Sequence, residues 1–282
     1  MAVDTDGREQ NKRGMSTYAI GDVQGCWRTL EQLLRRIDFR PGRDVLWLLG
    51  DLIGRGPDAT AVLRFVHQHP HSALALLGNH ELALLAFAEG LAEPHASDRL
   101  DTVLSAHERE LWLSAMRARP FLQLAEGTLL VHAGLLPAWS LGEAQRRAHE
   151  ASMALQSPAR ADVLARFLRL EPAAQVDAAE ARVDESLRVL TCLRTVDARG
   201  QPDATFKGTL PDLPASLTPW FRVARAAWRP QPIAFGHWSA LGLHREAGVT
   251  ALDGGCVWGR SLLAMRLADG VCFEQPSVET DH

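Results

Sequence analysis

An α/β (α+β) fold, parallel strand–helix units followed by a late run of strands, is what the 282-residue sequence predicts. Three observations carry it. Apolar runs end at Ile20, Leu49 and Leu77 and read as buried strands. Helical patterns separate them. Each run closes on a glycine and a short polar side chain: Asp22 in YAIGD, Asp51 in LLGDLIGRGP and Asn79 in LALLGN. These three are 29 and 28 residues apart, the length of a strand–helix–strand unit. Two such units in succession line up three strand ends at one sheet edge, where open α/β sheets bind ligands.

Between the first two strands, CWRTLEQLLRRI places Trp27, Leu30, Leu33, Leu34 and Ile37 on one helical face. PDATAVLRFVHQH predicts the next helix, with Pro57 in its first turn. His67, His69 and His71 fall at its surface end and read as solvated. HERELWLSAMRA predicts a helix, and FLQLAEGTLLVHAG predicts a hairpin whose second strand ends at His132. Residues 140–186 are rich in Ala, Arg, Glu and Leu but thin in apolar content. They predict a helical cap over the core, with a further helical cap segment over about 90–120. PDLPASLTP is a loop. PIAFGHW, VTALDGG and SLLAMRL read as strands, with VCFEQP as a final edge. Residues 1–15 are expected to be a disordered tail, 16–276 a single domain, and 277–282 a frayed end.

Composition narrows the function. Hydrophobic content of 46% and charged content of 23% are ordinary for a globular protein. A net charge of −4 gives no basic excess, so long nucleic acid as an obligate partner is disfavoured. A phosphate-rich ligand would need local cations or metal ions. Cys26, Cys192, Cys256 and Cys272 are dispersed without a CxxC and read as reduced thiols. No apolar run reaches the roughly 18 residues of a membrane span. The polar N-terminus lacks the apolar centre of a secretory signal, so a cytoplasmic protein is expected.

Five apolar strands end in a potential metal ligand: Asp22, Asp51, Asn79, His132 and His237. Singly, each reads as a turn, a helix cap or a buried histidine. Together they form a mixed oxygen and nitrogen set, which suits Mn²⁺, Fe, Co²⁺, Ni²⁺ or Zn²⁺ better than Ca²⁺. Two divalent ions ~3.5–4 Å apart need a bridging carboxylate, and Asp51 is the natural candidate.

GDVQG, GDLIGRG, GNHE, VHAG and FGHW, in this order, resemble the metallophosphoesterases of the protein serine/threonine phosphatase-like branch. VHAGLLPAW, AFGHWSALG and ALDGGCVWG are more particularly similar to the symmetrical bis(5′-nucleosyl)-tetraphosphatases, or diadenosine tetraphosphatases. The resemblance spans Ser16 to Pro276. It implies a sandwich of two mixed β-sheets flanked by helices, with a helical cap. It implies two divalent ions, of which Mn²⁺ is the expected species and Co²⁺ an alternative. Asp22 and Asp51 would hold the first ion. Asp51, Asn79, His132 and His237 would hold the second. His80 would be the catalytic histidine, and Arg55 and Arg194 would clamp phosphate, for which a guanidinium fork is suited. The implied reaction is symmetrical cleavage of diadenosine tetraphosphate to two ADP, with removal of nucleoside-tetraphosphate caps from RNA 5′ ends as a second activity.

Two positions depart from the wider pattern. Gln24 stands where many relatives have histidine, and is expected to face the first ion directly or through water. Gly54 stands where the protein phosphatases carry the aspartate that partners the catalytic histidine. A seryl alkoxide needs protonation to leave. ADP leaves on a phosphate oxygen with a last pKa near ~6 and needs little acid help. Three softer candidates remain. Trp238 and Trp258 could stack on adenine or pack in the core, and Lys207 could meet a distal phosphate. The cap segment from Arg169 to Leu190 lacks the aromatic Asn-Pro-Trp-like stretch expected from relatives, which leaves the distal nucleoside contacts unassigned. Two other functions stand beside the leading one: a protein serine/threonine phosphatase, and a non-catalytic nucleotide-binding protein.

Overall fold

The computed structural model describes residues 14–169, 176–203 and 205–279. The tail expected over 1–15 lies outside them except for Gly14 and Met15, as do residues 170–175 of the expected cap. In chain order, β1 (Thr17–Ile20), α1 (Trp27–Arg36), β2 (Val45–Leu48), α2 (Ala59–Gln68), β3 (Ala73–Ala75) and α3 (Asn79–Ala88) form the alternating first third. α4 (Asp101–Leu104) and α5 (Arg109–Arg117) lead to the hairpin of β4 (Leu122–Ala125) and β5 (Thr128–Val131). α6 (Leu141–Gln156), α7 (Arg160–Leu168) and α8 (Ala178–Cys192) make the cap. Then come β6 (Thr195–Val196), β7 (Pro202–Asp203), β8 (Thr218–Pro219), β9 (Ile233–Phe235), β10 (His244–Glu246), β11 (Val249–Ala251), β12 (Ser261–Arg266) and β13 (Cys272–Pro276).

Two five-stranded sheets result, ordered β13-β12-β1-β2-β3 and β10-β11-β9-β5-β4. Both are mixed. β1, β2 and β3 run parallel, with β12 and β13 added antiparallel. β11, β9 and β5 run parallel, with β10 and β4 antiparallel at the edges. The pleat explains how the sheets stack. In β1 the side chains alternate, so Ala19 faces one way while Tyr18 and Ile20 face the other. Ala19 joins Leu130, Ala234 and Leu263 in a layer between the two sheets. Tyr18 and Ile20 join the helices' Leu30, Leu33 and Val62 in the outer core. This is the expected sandwich of two mixed sheets flanked by helices.

Local differences have local causes. α2 begins at Ala59, not at Pro57, because the Asp58 side chain accepts from the Ala61 amide and takes the N-cap. Residues 277–279 are not frayed: the Thr29 amide and hydroxyl donate to Glu279 Oε1, and the Val278 amide donates to the Thr29 hydroxyl. The short strands β6, β7 and β8 form a third sheet that the sequence does not announce. The cap helices pack on one another and against α3 and α5. Their buried Leu155, Leu164, Phe167, Leu187 and Leu190 are continuous with the main core. Among the described residues, no helix is long and apolar enough to cross a membrane.

Candidate metal centre and active site

The C-terminal ends of the parallel strands from both sheets carry the candidate donors. Asp22 follows β1, Asp51 follows β2, and Asn79 opens α3 just beyond β3. From the other sheet, His132 follows β5 and His237 follows β9. Two glycines are needed for close approach. A Cβ at Gly78 would lie 2.2 Å from Asp51 Oδ1, and one at Gly236 would lie 2.2 Å from Asp22 Oδ1. Gln24, Asp51 and His237 adopt the left-handed conformation, with φ of 46°, 47° and 63°. Such a backbone is costly outside glycine and clusters where a site holds side chains in place.

The donor atoms converge as acceptors. Nδ1 of His132 donates to the Leu49 carbonyl at 2.8 Å, which leaves a lone pair on Nε2. That Nε2 faces Asn79 Oδ1 at 3.2 Å and Asp51 Oδ1 at 3.5 Å. Asp51, His132 and His237 each place a donor atom within 4.8 Å of the others. His237 bonds through its ring to the Cys192 carbonyl, and its buried Nε2 has no partner. Beside this set, Asp22 Oδ2 and Gln24 Oε1 are also buried and unpartnered, while Asp22 Oδ1 accepts from the His237 amide at 2.9 Å. Buried polar atoms are nearly always satisfied, so several orphans around one carboxylate mark a place for a cation.

The electrostatics agree. Burial, with Asp253 and Asp51 nearby, pushes the Asp22 carboxyl well above its ordinary range. Burial pushes Asp253 up to about 6, against the Gly255 amide that favours its charged form. Burial and Asp51 raise Glu81. Burial, Arg194 and His132 hold the His237 imidazole well below its usual value, hence neutral with a free lone pair. Crowded buried carboxylates facing a neutral imidazole are what divalent ions stabilise.

The remaining expected residues fall around this centre. His80, Arg55, Arg194, Lys207 and Trp258 line one cleft of about 320 Å³ together with Gln24, Asp51 and Asn79. The His80 amide donates to Asp51 Oδ1 at 3.0 Å, and its Nε2 stands 3.8 Å from Asp51 Oδ2. Its ring is therefore placed beside Asp51, without a carboxylate at position 54. Arg55 has an unpartnered Nε and lies over the Trp258 ring at 5.0 Å, a cation–π contact. Trp258 is 56% exposed and keeps a face for a ligand. Trp238 also lines this cleft but offers it little surface: it is 1% exposed, its indole donates to the Gly208 carbonyl, and Phe206 meets it edge-on, so it anchors a loop.

Two residues that the sequence left unassigned belong to the site. Glu81 is fully buried and accepts from the amides of Asp51, Leu52 and Gly78 at 2.8 Å, and of Ile53 at 3.4 Å. It ties the loop carrying Asp51 to the start of α3. Asp253 follows β11 and lines the same cleft. Its signal was present in ALDGG, which repeats the glycine-flanked strand end of the other donors.

Two mixed sheets that bring carboxylates, an asparagine and two imidazoles to their shared edge define a metallophosphoesterase. The calcineurin-like phosphoesterase family model matches residues 15–167. A Chromobacterium violaceum protein named bis(5′-nucleosyl)-tetraphosphatase, symmetrical, is 42% identical over 264 residues, covering 93% of this chain and 95% of its own. A Nitrosococcus oceani protein of the same name is 43% identical over 263 residues, covering 90% and 93%. The chain thus belongs to the symmetrical bis(5′-nucleosyl)-tetraphosphatase family of calcineurin-like phosphoesterases. The fold is shared more widely. A solved structure of a protein assigned as a diadenosine tetraphosphatase superposes with a TM-score of 0.58 at 24% identity, covering 95% of both chains. A Saccharomyces cerevisiae protein serine/threonine phosphatase does so with a TM-score of 0.58 at 13% identity, over 96% of this chain and 82% of its own. Membership implies divalent metal ions, and the donor set around Asp51 fits them.

Proposed function

We propose that this chain hydrolyses diadenosine 5′,5‴-P1,P4-tetraphosphate symmetrically to two ADP at a dinuclear metal centre. The convergence of unpartnered donors on both sides of Asp51 carries the reading, and the names of relatives at about 40% identity supply the substrate. Asp22, Gln24 and Asp51 would hold one ion. Asp51, Asn79, His132 and His237 would hold the other. Mn²⁺ is our assignment from the family resemblance, since the mixed donor set by itself admits several transition metals. When bound, the ions would supply Lewis acidity toward phosphoryl oxygens and activate water at neutral pH.

The chain's own residues do the rest. Among the described residues neither Arg55 nor Arg194 has a carboxylate partner; Arg194 gives one Nη2 hydrogen to the His237 carbonyl and Arg55 lies over Trp258, which leaves their other N–H groups for phosphate oxygens. Lys207 at the cleft rim would add a point charge for an outer phosphate. His80, held beside Asp51, would donate a hydrogen bond to the leaving oxygen. Trp258 would stack on one adenine. A nucleoside-tetraphosphate cap on an RNA 5′ end presents the same anhydride to the same cleft.

The test sets two substrates against each other. Mn²⁺-loaded protein should turn over diadenosine tetraphosphate and release little phosphate from a phosphoserine peptide. The reverse preference would make it a protein phosphatase. Turnover of neither, with under one ion bound per chain, would favour a non-catalytic nucleotide-binding protein.

A further inference from the structure

Helix α1 starts directly after the turn that carries Asp22 and Gln24, and it does not cap itself. Its N-cap residue is Cys26, whose side chain makes no capping hydrogen bond, and its first turn holds no acidic residue. The amide of Thr29, the third helical residue, is one that an N-cap side chain ordinarily satisfies. Thr29 is fully buried, so water does not replace that acceptor. Its amide donates instead to Glu279 Oε1 at 2.9 Å, from 250 residues further along the chain. The Thr29 hydroxyl donates to the same oxygen at 3.1 Å and accepts from the Val278 amide at 3.1 Å. Glu279 is itself buried and has no ion-pair partner among the described residues, so its charge answers the positive end of α1. The same segment is anchored a second time. The Ser277 amide donates to the Arg260 carbonyl at 2.7 Å, just past the turn that carries Trp258, and Arg260 Nη2 donates to the Ser239 carbonyl. Ser239 and Trp258 both line the metal cleft.

We propose that Glu279 is a positioning residue for the first metal site, acting as a remote N-cap for α1. The inference rests on the reading of the site as a dinuclear centre. The turn before α1 is held from two sides. Toward the other ligand loop, the Gln24 and Gly25 amides donate to the Asp51 and Leu52 carbonyls at 2.7 and 2.8 Å, and the Gln24 carbonyl accepts from the Gly56 amide at 2.7 Å. Toward the helix, the Cys26 amide donates to the Val23 carbonyl at 2.9 Å, and the order of that side depends on the first turn of α1. Gln24 has φ of 46°, a conformation that persists only while its surroundings enforce it. Without an acceptor for the Thr29 amide, the first turn would fray and Gln24 would relax with it. An ion held by a segment that is ordered only part of the time binds more weakly by that fraction. The imidazoles of the second site follow β5 and β9 in the other sheet, so the ion they hold is indifferent to α1.

Calorimetric titration of metal-free protein with Mn²⁺ tests this. Wild type should take up two ions in two steps. Glu279→Gln should weaken one step about tenfold, the size of a lost hydrogen bond to a charged group, and leave the other step unchanged. Thr29→Val removes the hydroxyl but keeps the amide bond to Glu279, and should weaken the same step about threefold, as for a neutral hydrogen bond. Thr29→Ser keeps the hydroxyl and should titrate as wild type. The Thr29 pair decides the matter if Glu279→Gln does not fold. A role confined to stability would lower the thermal midpoint of the variants and leave both affinities as in wild type, which would overturn the proposal. Equal weakening of both steps would overturn it too. A wild type that takes up fewer than two ions would instead overturn the dinuclear reading, and this assignment with it.

Discussion

Gly54 shows how one residue carries two constraints. Its lack of a carboxylate suits a leaving group that needs little protonation. Its backbone also has φ of +146°, and a Cβ there would stand 3.3 Å from both Gln24 Oε1 and His80 Nδ1. The glycine is thus required by the chain path as well as permitted by the chemistry. Gly54→Asp should lower the thermal midpoint, with a strain of about 1–3 kcal/mol. If the leaving-group argument holds, it should also raise turnover of an aryl phosphomonoester relative to diadenosine tetraphosphate; an unchanged ratio in folded protein removes that argument. Asp253 gives a prediction with a pH window. Its folded pKa of about 6 exceeds the ordinary 3.8. Between those values the folded state keeps a proton that the unfolded state releases, so this group's contribution to stability falls as pH rises from 3.8 to about 6. In metal-free protein at pH 7.5, Asp253→Asn should therefore be more stable than wild type, by about 3 kcal/mol. Denaturant melts of chelator-treated protein measure it, and a less stable variant would contradict it.

Among the elements, the link between the loop after β2 and the start of α3 matters most. Glu81 gathers four amide donors there, three from the Asp51 loop. Glu81→Gln keeps the shape but sets an amide N–H against backbone N–H groups. We expect a loss of about 2–3 kcal/mol, the range for a buried charged hydrogen-bonding group. Bound metal, read by atomic emission, should drop with it; full metal content would show that Asp51 does not depend on this tie. Legibility in the sequence followed element length. β1 to β3, β5 and β9 were readable because apolar runs closed by glycine and a donor set both strand and site. β6, β7 and β8 have two residues each, too few for any periodicity to show. Trp238 was ambiguous because its burial is decided by Gly208 and Phe206, about thirty positions away. Glu81 was hidden by its own motif, since Asn79 and His80 accounted for GNHE without it.

At the scale of the whole molecule, the two sheets are near counterparts, each with three neighbouring parallel strands: in the first they run out to the β3 edge with β12 and β13 on the other side, and in the second they lie between β10 and β4. The first sheet delivers oxygen donors and the second delivers both imidazoles and Asp253 to a shared edge. Neither sheet alone holds a complete set, so packing of the sandwich is what assembles the centre. The order of the motifs revealed this assembly. Midpoint cleavage at this centre is tested by anion-exchange chromatography of the products from diadenosine tetraphosphate, with Mn²⁺ present. ADP is expected as the sole initial nucleotide product; AMP and ATP in equal amounts would overturn midpoint cleavage.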